Sequence, residues 1–319
     1  MRSEPTRVTL IPSDENGAEI ANAAARVLDA AGVPVAFEEV PLSDAVAALK
    51  STRLGLMGFQ HAPHRRHDPP PIVGLRDALG MYANVRPIKS LNGLPTRHTG
   101  VDLVLVREVT EDIYRHLEHE SIPGVYESLK VTTRAACERI AKYAFDYARE
   151  AGRKKVTIVH KANIMKKSDG MFLTAARKVA EGYPEIAVED VIVDALCMKL
   201  VLTPERFDVL VAGNLYGDIV ADLCAGLVGG ATNCPSINIG PDVRVFATPH
   251  GVAGPADAGN PLELVMPAIE LARYLGHAAA ADRLRAAVEG ALTSGVRPLA
   301  IGGDAGCERF TNALIERLA

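Results

Sequence analysis

Short runs of aliphatic and β-branched residues alternate with longer amphipathic stretches in the first part of the chain. RVTLIP is followed by AEIANAAARVLDAAG, and then by VPVAFEEV, DAVAALKS and LGLMGF. Runs of the first kind favour strands, and apolar residues three and four positions apart favour helices. Strands that alternate with helices usually pair in parallel. The pattern predicts an α/β fold with a largely parallel sheet.

A second series of the same kind follows. VDLVLVRE, KKVTIVHK and FDVLVAG are predicted strands, and TTRAACERIAKYAFDYAREAG and GMFLTAARKVAEGY are predicted helices. The C-terminal part adds two predicted helices, PLELVMPAIELARYLG and AADRLRAAVEGALTSG, each closed by a glycine. A chain of 319 residues with 48% hydrophobic content is long enough to form two lobes.

Charge and cysteine content narrow the possible partners. The 35 basic and 39 acidic residues nearly cancel, so no domain-wide field favours nucleic acid or an anionic membrane. The five cysteines lack CxxC spacing, which argues against a disulfide framework or a structural zinc site and favours a reducing cytoplasm. No apolar run resembles a signal peptide or a membrane helix. We expect a cytoplasmic protein whose partners are small molecules and other copies of itself.

Common catalytic motifs are missing from the sequence. It contains no GxGxxG after a strand, no Walker loop, no GxSxG and no HExxH. If the protein binds a dinucleotide, it does so without the standard Rossmann fingerprint.

Three aspartates and a lysine are candidates for metal chemistry. Asp218 and Asp222 in NLYGDIVADL lie four residues apart, so a helix would place both carboxylates on one face, as a hard divalent cation requires. Asp194 interrupts the apolar stretch VIVDALCM, and a buried aspartate needs a partner or a metal. Lys161 follows a predicted strand and is a candidate base. A solvated helix face and a surface lysine remain the alternative interpretations.

Three arginines are candidates for binding carboxylates. Arg76, Arg86 and Arg107 each present a rigid fork of donors, which suits a polycarboxylate substrate if they converge. Structural salt bridges are the alternative for each of them. Tyr114 is a candidate proton donor, and packing alone is the alternative there.

Several long motifs together resemble the β-decarboxylating dehydrogenases, which include the isocitrate, isopropylmalate and homoisocitrate dehydrogenases. The motifs are LRDALGMYANVRP, VREVTEDIY, LEHESIPGVYESLKVTTRAACERIAKYAFDYARE, GRKKVTIVHKANIMKKSDGMFL and FDVLVAGNLYGDIVADLCAGLVGG. They are most similar to the NAD-linked isocitrate type. The resemblance is strongest from about residue 75 to residue 230 and weaker on either side.

The resemblance implies a two-lobed isocitrate/isopropylmalate dehydrogenase-like fold in a homodimer whose active sites lie between the lobes and are shared between subunits. A large cofactor-binding domain would comprise residues 1–88 and 229–319, and a small dimerisation domain residues 89–228. The implied roles are metal binding of Mg²⁺ or Mn²⁺ by Asp194, Asp218 and Asp222, catalysis by Lys161 and Tyr114, and substrate binding by Arg76, Arg86 and Arg107. Lys161 and Asp194 would come from the partner subunit.

The cofactor segments depart from the family pattern. Ser13 and Glu15 replace glycines in the loop PSDENGAE, and Ala300 replaces an aspartate in PLAIGG. HGVAGPADAGNP is a shortened form of the family's cofactor loop. The predicted cofactor-binding residues are His250, Gly251, Asn260 and Asn163. NAD is favoured because the shortened loop has no basic cluster for a 2′-phosphate, and NADP remains open.

The specificity segment departs furthest. PPIVGLR, residues 70–76, lacks the serine and asparagine that read the γ-carboxylate in isocitrate-type members, so Ile72 and Val73 would face an alkyl group. The preceding HAPHRRH suggests the opposite, because His64, Arg65, Arg66 and His67 suit an anionic substituent. A solvated loop is the alternative, and metal binding by its three histidines is disfavoured by their spacing.

The sequence therefore predicts oxidative decarboxylation of a 3-substituted (2R)-malate other than isocitrate, with an anionic substituent such as phosphonomethyl, in a biosynthetic pathway. An isopropylmalate- or isocitrate-type dehydrogenase is the alternative within the enzyme class. A non-catalytic regulatory subunit of a hetero-oligomeric isocitrate dehydrogenase is the alternative from another class.

Overall fold

The computed structural model of the protein describes residues 4–13, 16–60, 71–249 and 259–319. Within these ranges it contains twelve strands and ten α-helices. The strands are β1 (Thr6–Ile11), β2 (Val35–Glu39), β3 (Leu54–Met57), β4 (Ala83–Lys89), β5 (Asp102–Glu108), β6 (Glu118–Ile122), β7 (Val125–Ser128), β8 (Lys155–His160), β9 (Ala187–Ile192), β10 (Val209–Ala212), β11 (Ser236–Ile239) and β12 (Arg244–Ala247). The helices are α1 (Gly17–Ala30), α2 (Ala45–Thr52), α3 (Pro71–Ala78), α4 (Arg134–Glu150), α5 (Ser168–Ala180), α6 (Val193–Leu202), α7 (Asn214–Leu227), α8 (Leu262–Tyr274), α9 (Ala278–Thr293) and α10 (Cys307–Leu318).

The chain divides into two compact units. Unit 1 comprises the described residues of Met1–Gly80, Ser90–Thr99 and Val228–Ala319, and unit 2 comprises Met81–Lys89 and Gly100–Leu227. These boundaries differ from the predicted ones in the assignment of residues 81–88, 90–99 and 228. β4 belongs to unit 2 because all seven of its residues pair with β5. Residues 90–99 belong to unit 1 because Arg285 and Arg297 donate hydrogen bonds to the carbonyls of Ser90 and Gly93.

The sheet of unit 1 has the strand order β2-β1-β3-β12-β11. The pairs of β1 with β2, β1 with β3 and β3 with β12 are parallel, and β11 runs antiparallel to β12. The core next to this sheet includes Val8, Val27, Phe246 and Phe310, all nearly inaccessible to solvent. The predicted βα alternation thus forms a largely parallel sheet.

The sheet of unit 2 has the strand order β4-β5-β10-β8-β9. β5, β10, β8 and β9 are parallel, and β4 pairs antiparallel with β5. β5 is buried from Leu103 to Glu108, which explains its continuous aliphatic run. Parallel strands joined by crossover connections all have their carboxyl ends at the same edge of a sheet. The residues after β5, β8 and β10 therefore lie at one edge of this sheet.

Helix α4 illustrates how the sequence specifies a packed helix. The Thr133 hydroxyl caps it by accepting the amide hydrogen of Ala136 at 3.2 Å. Its buried residues recur at helical spacing: Ala136, Cys137, Ile140, Ala141, Ala144, Phe145 and Ala148. The charged residues between them cover the opposite face, so the helix has one apolar side for the core.

Three elements of the structure were not anticipated. LEHESIPGVYESLK forms the antiparallel hairpin β6–β7, in which every strand residue is exposed. The specificity segment PIVGLRDA is helix α3. CERFTNALIERL forms α10, whose residues Phe310 and Leu314 are buried.

The five cysteines are free thiols, of which Cys197 is partly accessible and the others are buried. None of the helices in the described ranges is long and apolar enough to cross a membrane. The mixed α/β fold predicted from the sequence is confirmed.

Candidate active site

Arg107 occupies the carboxyl end of β5, and its side chain is only 5% exposed. Its guanidinium donates from Nε to Asn214 Oδ1 at 3.0 Å and from Nη2 to the same oxygen at 2.6 Å. Nη1 forms an ion pair with Asp218. A buried guanidinium with fixed partners is pre-oriented for a planar anion, and the carboxylate-binding role of Arg107 stays a prediction.

Tyr114 lies in a 3₁₀ turn, Ile113–Arg115, and donates its hydroxyl hydrogen to Asp218. The Arg107 guanidinium carbon lies 5.2 Å from the centre of the Tyr114 ring. Burial, together with the hydrogen bond to the Asp218 carboxylate, raises the pKa of Tyr114 to about 12. The phenol therefore keeps its proton at neutral pH, as a proton donor must.

Arg86 and Asp222 form a second pair beside the first. Arg86 on β4 is 4% exposed in its side chain, and its Nη2 lies 3.7 Å from Asp222 Oδ1. Asp218 and Asp222 belong to the same helix, α7, and their side chains are 43% and 52% exposed. The two carboxylates share a helix face as predicted, and each one meets a buried arginine.

Lys161 and Asp194 form a separate pair in which the ammonium group contacts Asp194 Oδ1. The hydrogen bond from Lys161 lowers the pKa of the Asp194 carboxyl. The expectation of a buried Asp194 is wrong, because its side chain is 68% exposed. β9 ends at Ile192 and α6 begins at Val193, so the apolar run is a strand–helix junction with Asp194 on the first helical turn.

The three predicted metal ligands do not gather in one chain. The described ranges contain no group of three or more His, Cys, Asp or Glu side chains that could hold a metal ion. Asp218 and Asp222 remain a matched pair of accessible oxygen donors, which fits Mg²⁺ or Mn²⁺ once a further ligand is supplied. A metal site on α7 therefore requires a further ligand in addition to Asp218 and Asp222.

Asp112 holds the turn that carries Tyr114. It is buried, and its φ of 76° is a backbone conformation that favours glycine. Its Oδ1 accepts the amide hydrogen of Ile113 at 2.9 Å, and its Oδ2 accepts that of Leu215 at the start of α7 at 3.2 Å. One carboxylate thus orients both the Tyr114 turn and the helix that carries Asp218.

Two side chains hold the turn that carries Lys161. Asp169, buried in the first turn of α5, accepts the Lys161 amide hydrogen at 2.7 Å. The buried imidazole of His160 accepts the Ala162 amide hydrogen at Nδ1 over 3.0 Å, and its Nε2 lies 3.3 Å from Asp190. Because Nδ1 accepts, Nε2 carries the ring hydrogen toward Asp190.

The remaining predicted residues are distributed as follows. In unit 1, Arg76 donates from Nε to Asn238 Oδ1 at 2.9 Å, and Ile72 is half-buried in the first turn of α3. In unit 2, Asn163 is exposed. His64, Arg65, Arg66, His67, His250 and Gly251 lie outside the described residues.

Asn260 provides an observation that bears on the cofactor. Its side chain is buried, and its Oδ1 accepts the amide hydrogen of Leu262 at 3.2 Å. Its Nδ2 has no hydrogen-bond partner among the residues that the structure describes. A buried amide donor held in place in this way fits a nitrogen acceptor such as that of an adenine ring.

Four supporting residues escaped the sequence analysis: Asp112, Lys130, Asp169 and Gly217. Gly217 packs against the Arg107 side chain, and a glycine inside a helical pattern is the one signal that could have marked it. Lys130 lies 2.8 Å from Asp112 and 3.5 Å from Asp169. Nothing local to its sequence distinguishes it from a surface lysine.

Comparison with known proteins identifies the family of the chain. Residues 7–314 match the family model described as isocitrate/isopropylmalate dehydrogenase. The chain is 41% identical to a regulatory subunit of the NAD isocitrate dehydrogenase of Dictyostelium discoideum, covering 99% of this chain and 93% of that one. It is 42% identical to the NAD isocitrate dehydrogenase catalytic subunit 5 of Arabidopsis thaliana, covering 98% and 89%. Both relatives are described as mitochondrial.

A solved structure is similar over nearly its whole length. The isocitrate dehydrogenase of Methylococcus capsulatus superimposes with a TM-score of 0.90 at 38% identity, covering 98% of this chain and 99% of that chain. The family model, which runs from residue 7 to residue 314, spans both units. The chain therefore belongs to the isocitrate/isopropylmalate dehydrogenase family, and it is a β-decarboxylating dehydrogenase.

Proposed function

We propose that the protein catalyses the NAD(P)-dependent and Mg²⁺- or Mn²⁺-dependent oxidative decarboxylation of a 3-substituted (2R)-malate to a 2-oxo acid and CO₂. One observation carries this proposal. Two buried arginines, Arg86 and Arg107, each face an accessible aspartate on the same face of α7. In this arrangement the arginines can bind the carboxylates of a substrate. The aspartates beside them can bind a divalent metal that the same substrate contacts.

The arginines bind the malate carboxylates. Arg107 is held by Asn214 and is nearly inaccessible to bulk water, so its attraction for an anion is stronger than that of a surface arginine. Arg86 is as deeply buried. Arg76 is proposed as a third substrate-binding arginine. Fixing both carboxylates orients the C2–H bond for hydride transfer to the nicotinamide.

Asp218 and Asp222 would hold the metal together with Asp194 of the partner subunit. A Mg²⁺ or Mn²⁺ ion held there would supply positive charge beside the substrate hydroxyl and so favour loss of its proton. Lys161 accepts the hydroxyl proton while the hydride leaves C2 for the nicotinamide. When the C3–carboxylate bond breaks, its electron pair forms the enolate, and Tyr114 protonates C3.

A homodimer with shared active sites completes the metal site. Large apolar side chains are exposed on α6, on α7 and on the β6–β7 hairpin, where burial against a second copy would be favourable. These side chains include Met198, Leu202, Ile219, Ile122 and Tyr126, which are between 54% and 68% exposed. Supply of Asp194 and Lys161 from the partner would explain why the three aspartates do not meet in one chain.

NAD is the preferred cofactor, and Asn260 is the proposed adenine-binding residue because its buried amide nitrogen has no hydrogen-bond partner among the residues that the structure describes. Asn163, His250 and Gly251 are proposed to assist. The substrate's 3-substituent is proposed to be anionic, phosphonomethyl being the specific choice, because HAPHRRH supplies two arginines and three histidines. An isopropyl-like substituent is the rival, favoured by the apolar Ile72 in α3. A biosynthetic role in the cytoplasm is part of the same proposal.

The test is turnover of the purified chain with phosphonomethylmalate, isopropylmalate and isocitrate, each with NAD⁺ or NADP⁺ and with Mg²⁺ or EDTA. We expect metal-dependent CO₂ release and NADH formation, with the highest kcat/KM for the phosphonate. A preference for isopropylmalate would overturn the anionic assignment but not the reaction. No turnover of any malate would overturn the reaction itself and favour a regulatory subunit.

Two variants make the test more specific. Lys161→Met should abolish turnover while the thermal unfolding curve stays that of the wild type, because Lys161 is partly exposed and not part of the core. Replacing Arg65 and Arg66 by alanine should lower kcat/KM for the phosphonate by about tenfold to hundredfold and leave isopropylmalate turnover unchanged, since one charge-assisted contact contributes on this scale. An equal loss for both substrates would show that these arginines do not read the substituent.

A further inference from the structure

Lys130 lies between the two turns that carry the proposed catalytic side chains of unit 2. Its ammonium nitrogen is 2.8 Å from Asp112 Oδ2 and 3.5 Å from Asp169 Oδ1. The Lys130 side chain is 18% exposed, and those of Asp112 and Asp169 are 4% and 6% exposed. A single cation thus compensates two buried carboxylates that come from different parts of the chain.

Each of these carboxylates also accepts hydrogen bonds from backbone amides. Asp112 accepts the amide hydrogens of Ile113 and Leu215, and so orients the Tyr114 turn and the start of α7. Asp169 accepts the amide hydrogen of Lys161 itself. Asp112 also has a positive φ, a backbone conformation that a non-glycine residue adopts only where the surrounding contacts enforce it. Without the Lys130 cation, the two buried carboxylates would repel each other and would be more stable when hydrated. Both turns would therefore shift.

Lys130 is not placed to meet substrate. Its ammonium lies 5.1 Å from the centre of the Tyr216 ring, and the neighbouring cavity, which Asp112 and Asp169 also line, measures about 30 Å³. That volume holds one water molecule and no malate. Lys130 therefore acts through its carboxylate partners.

We propose that Lys130 is a positioning residue that orients the Tyr114 turn and the Lys161 turn of one chain together. This inference rests on the proposed function, in which Tyr114 serves the active site of its own chain and Lys161 serves that of the partner subunit. Each Lys130 then supports half of each active site in the dimer and links the two sites through the interior of unit 2.

Hydrogen exchange tests the positioning without any assay of activity. In Lys130→Met, the amides of Ile113, Leu215 and Lys161 should exchange faster together, because each of them donates to a carboxylate that loses its cation. Lys155→Met is the matched control. Lys155 also lies near a carboxylate, Glu189 at 3.2 Å, and near an aromatic ring, that of Phe207 at 5.8 Å. In this control the three amides should exchange as in the wild type, and unchanged exchange in Lys130→Met would overturn the proposal.

Mixed dimers, purified through two different tags, test the link between sites. Tyr114→Phe paired with Lys161→Met contains one intact site and should recover about half of the wild-type kcat, which tests the proposed function separately. Lys130→Met should recover little activity with either variant, because it impairs both turns. Recovery of half the rate with Lys161→Met would show that Lys130 supports only the Tyr114 turn, and recovery with Tyr114→Phe would show that it supports only the Lys161 turn. Either result would overturn the link.

The conservative variant separates positioning from general stability. Lys130→Arg keeps the charge and should restore most of kcat, whereas Lys130→Met should lower kcat on the order of tenfold to hundredfold. Both variants should leave the substrate KM nearly unchanged, because residue 130 does not contact the substrate-binding arginines Arg86 and Arg107. If Lys130→Met does not fold, Lys130→Gln replaces it in the same exchange and mixed-dimer experiments. A fall in thermal stability with wild-type exchange at the three amides and wild-type kcat would reduce Lys130 to an ordinary structural ion pair.

Discussion

Gly217 approaches the side chain of Arg107 so closely that a Cβ atom at this position does not fit without a shift. A Cβ atom added to Gly217 would lie 2.6 Å from Arg107 Cγ and 2.9 Å from its Cβ. Real Cβ contacts are longer, so either α7 or the arginine would have to move. The position of α7, which carries Asp218 and Asp222, is therefore coupled to the position of the arginine on β5.

Gly217→Ala should displace Arg107 and lower kcat/KM for the substrate by about tenfold to hundredfold, because the guanidinium loses its orientation. Gly226→Ala is the matched control on the same helix, since a Cβ there would have no atom within 4 Å. This control should keep full activity and raise the free energy of unfolding by about 0.5–1 kcal/mol. Equal kcat/KM in the two variants would contradict the coupling.

Ile219→Glu should dissociate the proposed dimer. Ile219 is 54% exposed on α7, and a carboxylate there would lose its hydration if a second copy covered it. We expect monomers by analytical ultracentrifugation and loss of turnover, since Asp194 and Lys161 of the partner subunit would be missing. Leu299→Glu alters a side chain of similar exposure, 46%, in unit 1 and should leave the sedimentation coefficient unchanged. A dimeric and active Ile219→Glu protein would show that this face of α7 is not the interface.

Asn260→Ala should raise the KM for NAD⁺ by about tenfold and leave kcat nearly unchanged, because a buried donor to the cofactor is lost without any change in the reacting groups. Asn92→Ala serves as the control, because Asn92 is an asparagine in unit 1 that donates to Glu289 at 2.8 Å. The shift in unfolding temperature on adding NAD⁺ should shrink only in Asn260→Ala. An equal NAD⁺ shift in both variants would argue against adenine binding at Asn260.

Asp102→Asn should reveal a stabilising ion pair through its pH dependence. Burial opposes ionisation of Asp102, but Arg153 and Lys89 outweigh it and lower the pKa of this carboxyl below its ordinary value of 3.8. A lowered pKa in the folded state stabilises the fold above the ordinary pKa, and the contribution is lost as the pH falls through the folded-state pKa. Because Asp102 is half-exposed, the variant should lose about 0.5 kcal/mol near neutral pH. Urea unfolding should show this difference vanish in acid, and a constant difference would indicate altered packing.

The strands and the shared helix face of Asp218 and Asp222 could be predicted because their signals are local. The aliphatic run of β5 ends at Arg107, and the four-residue spacing of Asp218 and Asp222 places them on one helix face whatever the rest of the chain does. Asp194 was wrongly predicted to be buried, because the apolar residues around it continue across a strand–helix junction. Hydrophobicity alone does not show where one element ends and the next begins.

The supporting residues depend on contacts between distant parts of the sequence. Lys130 follows an exposed hairpin, and its two carboxylate partners lie 18 residues before it and 39 residues after it. The φ of Asp112 is equally hidden, because only a small fraction of aspartates adopt a positive φ and the sequence does not mark which ones. Such positions can be recognised only after the fold has placed the strand ends together.

The order in which the strands are synthesised differs from the order in which they pair. Residues of β3 pair in parallel with β12, Met57 lying opposite Ala247, so the N-terminal strands leave the ribosome long before their neighbour does. Unit 2 is complete once Leu227 has emerged. During translation the nascent chain therefore carries β3 for a time without its partner β12, and an unpaired strand edge of this kind favours premature self-association.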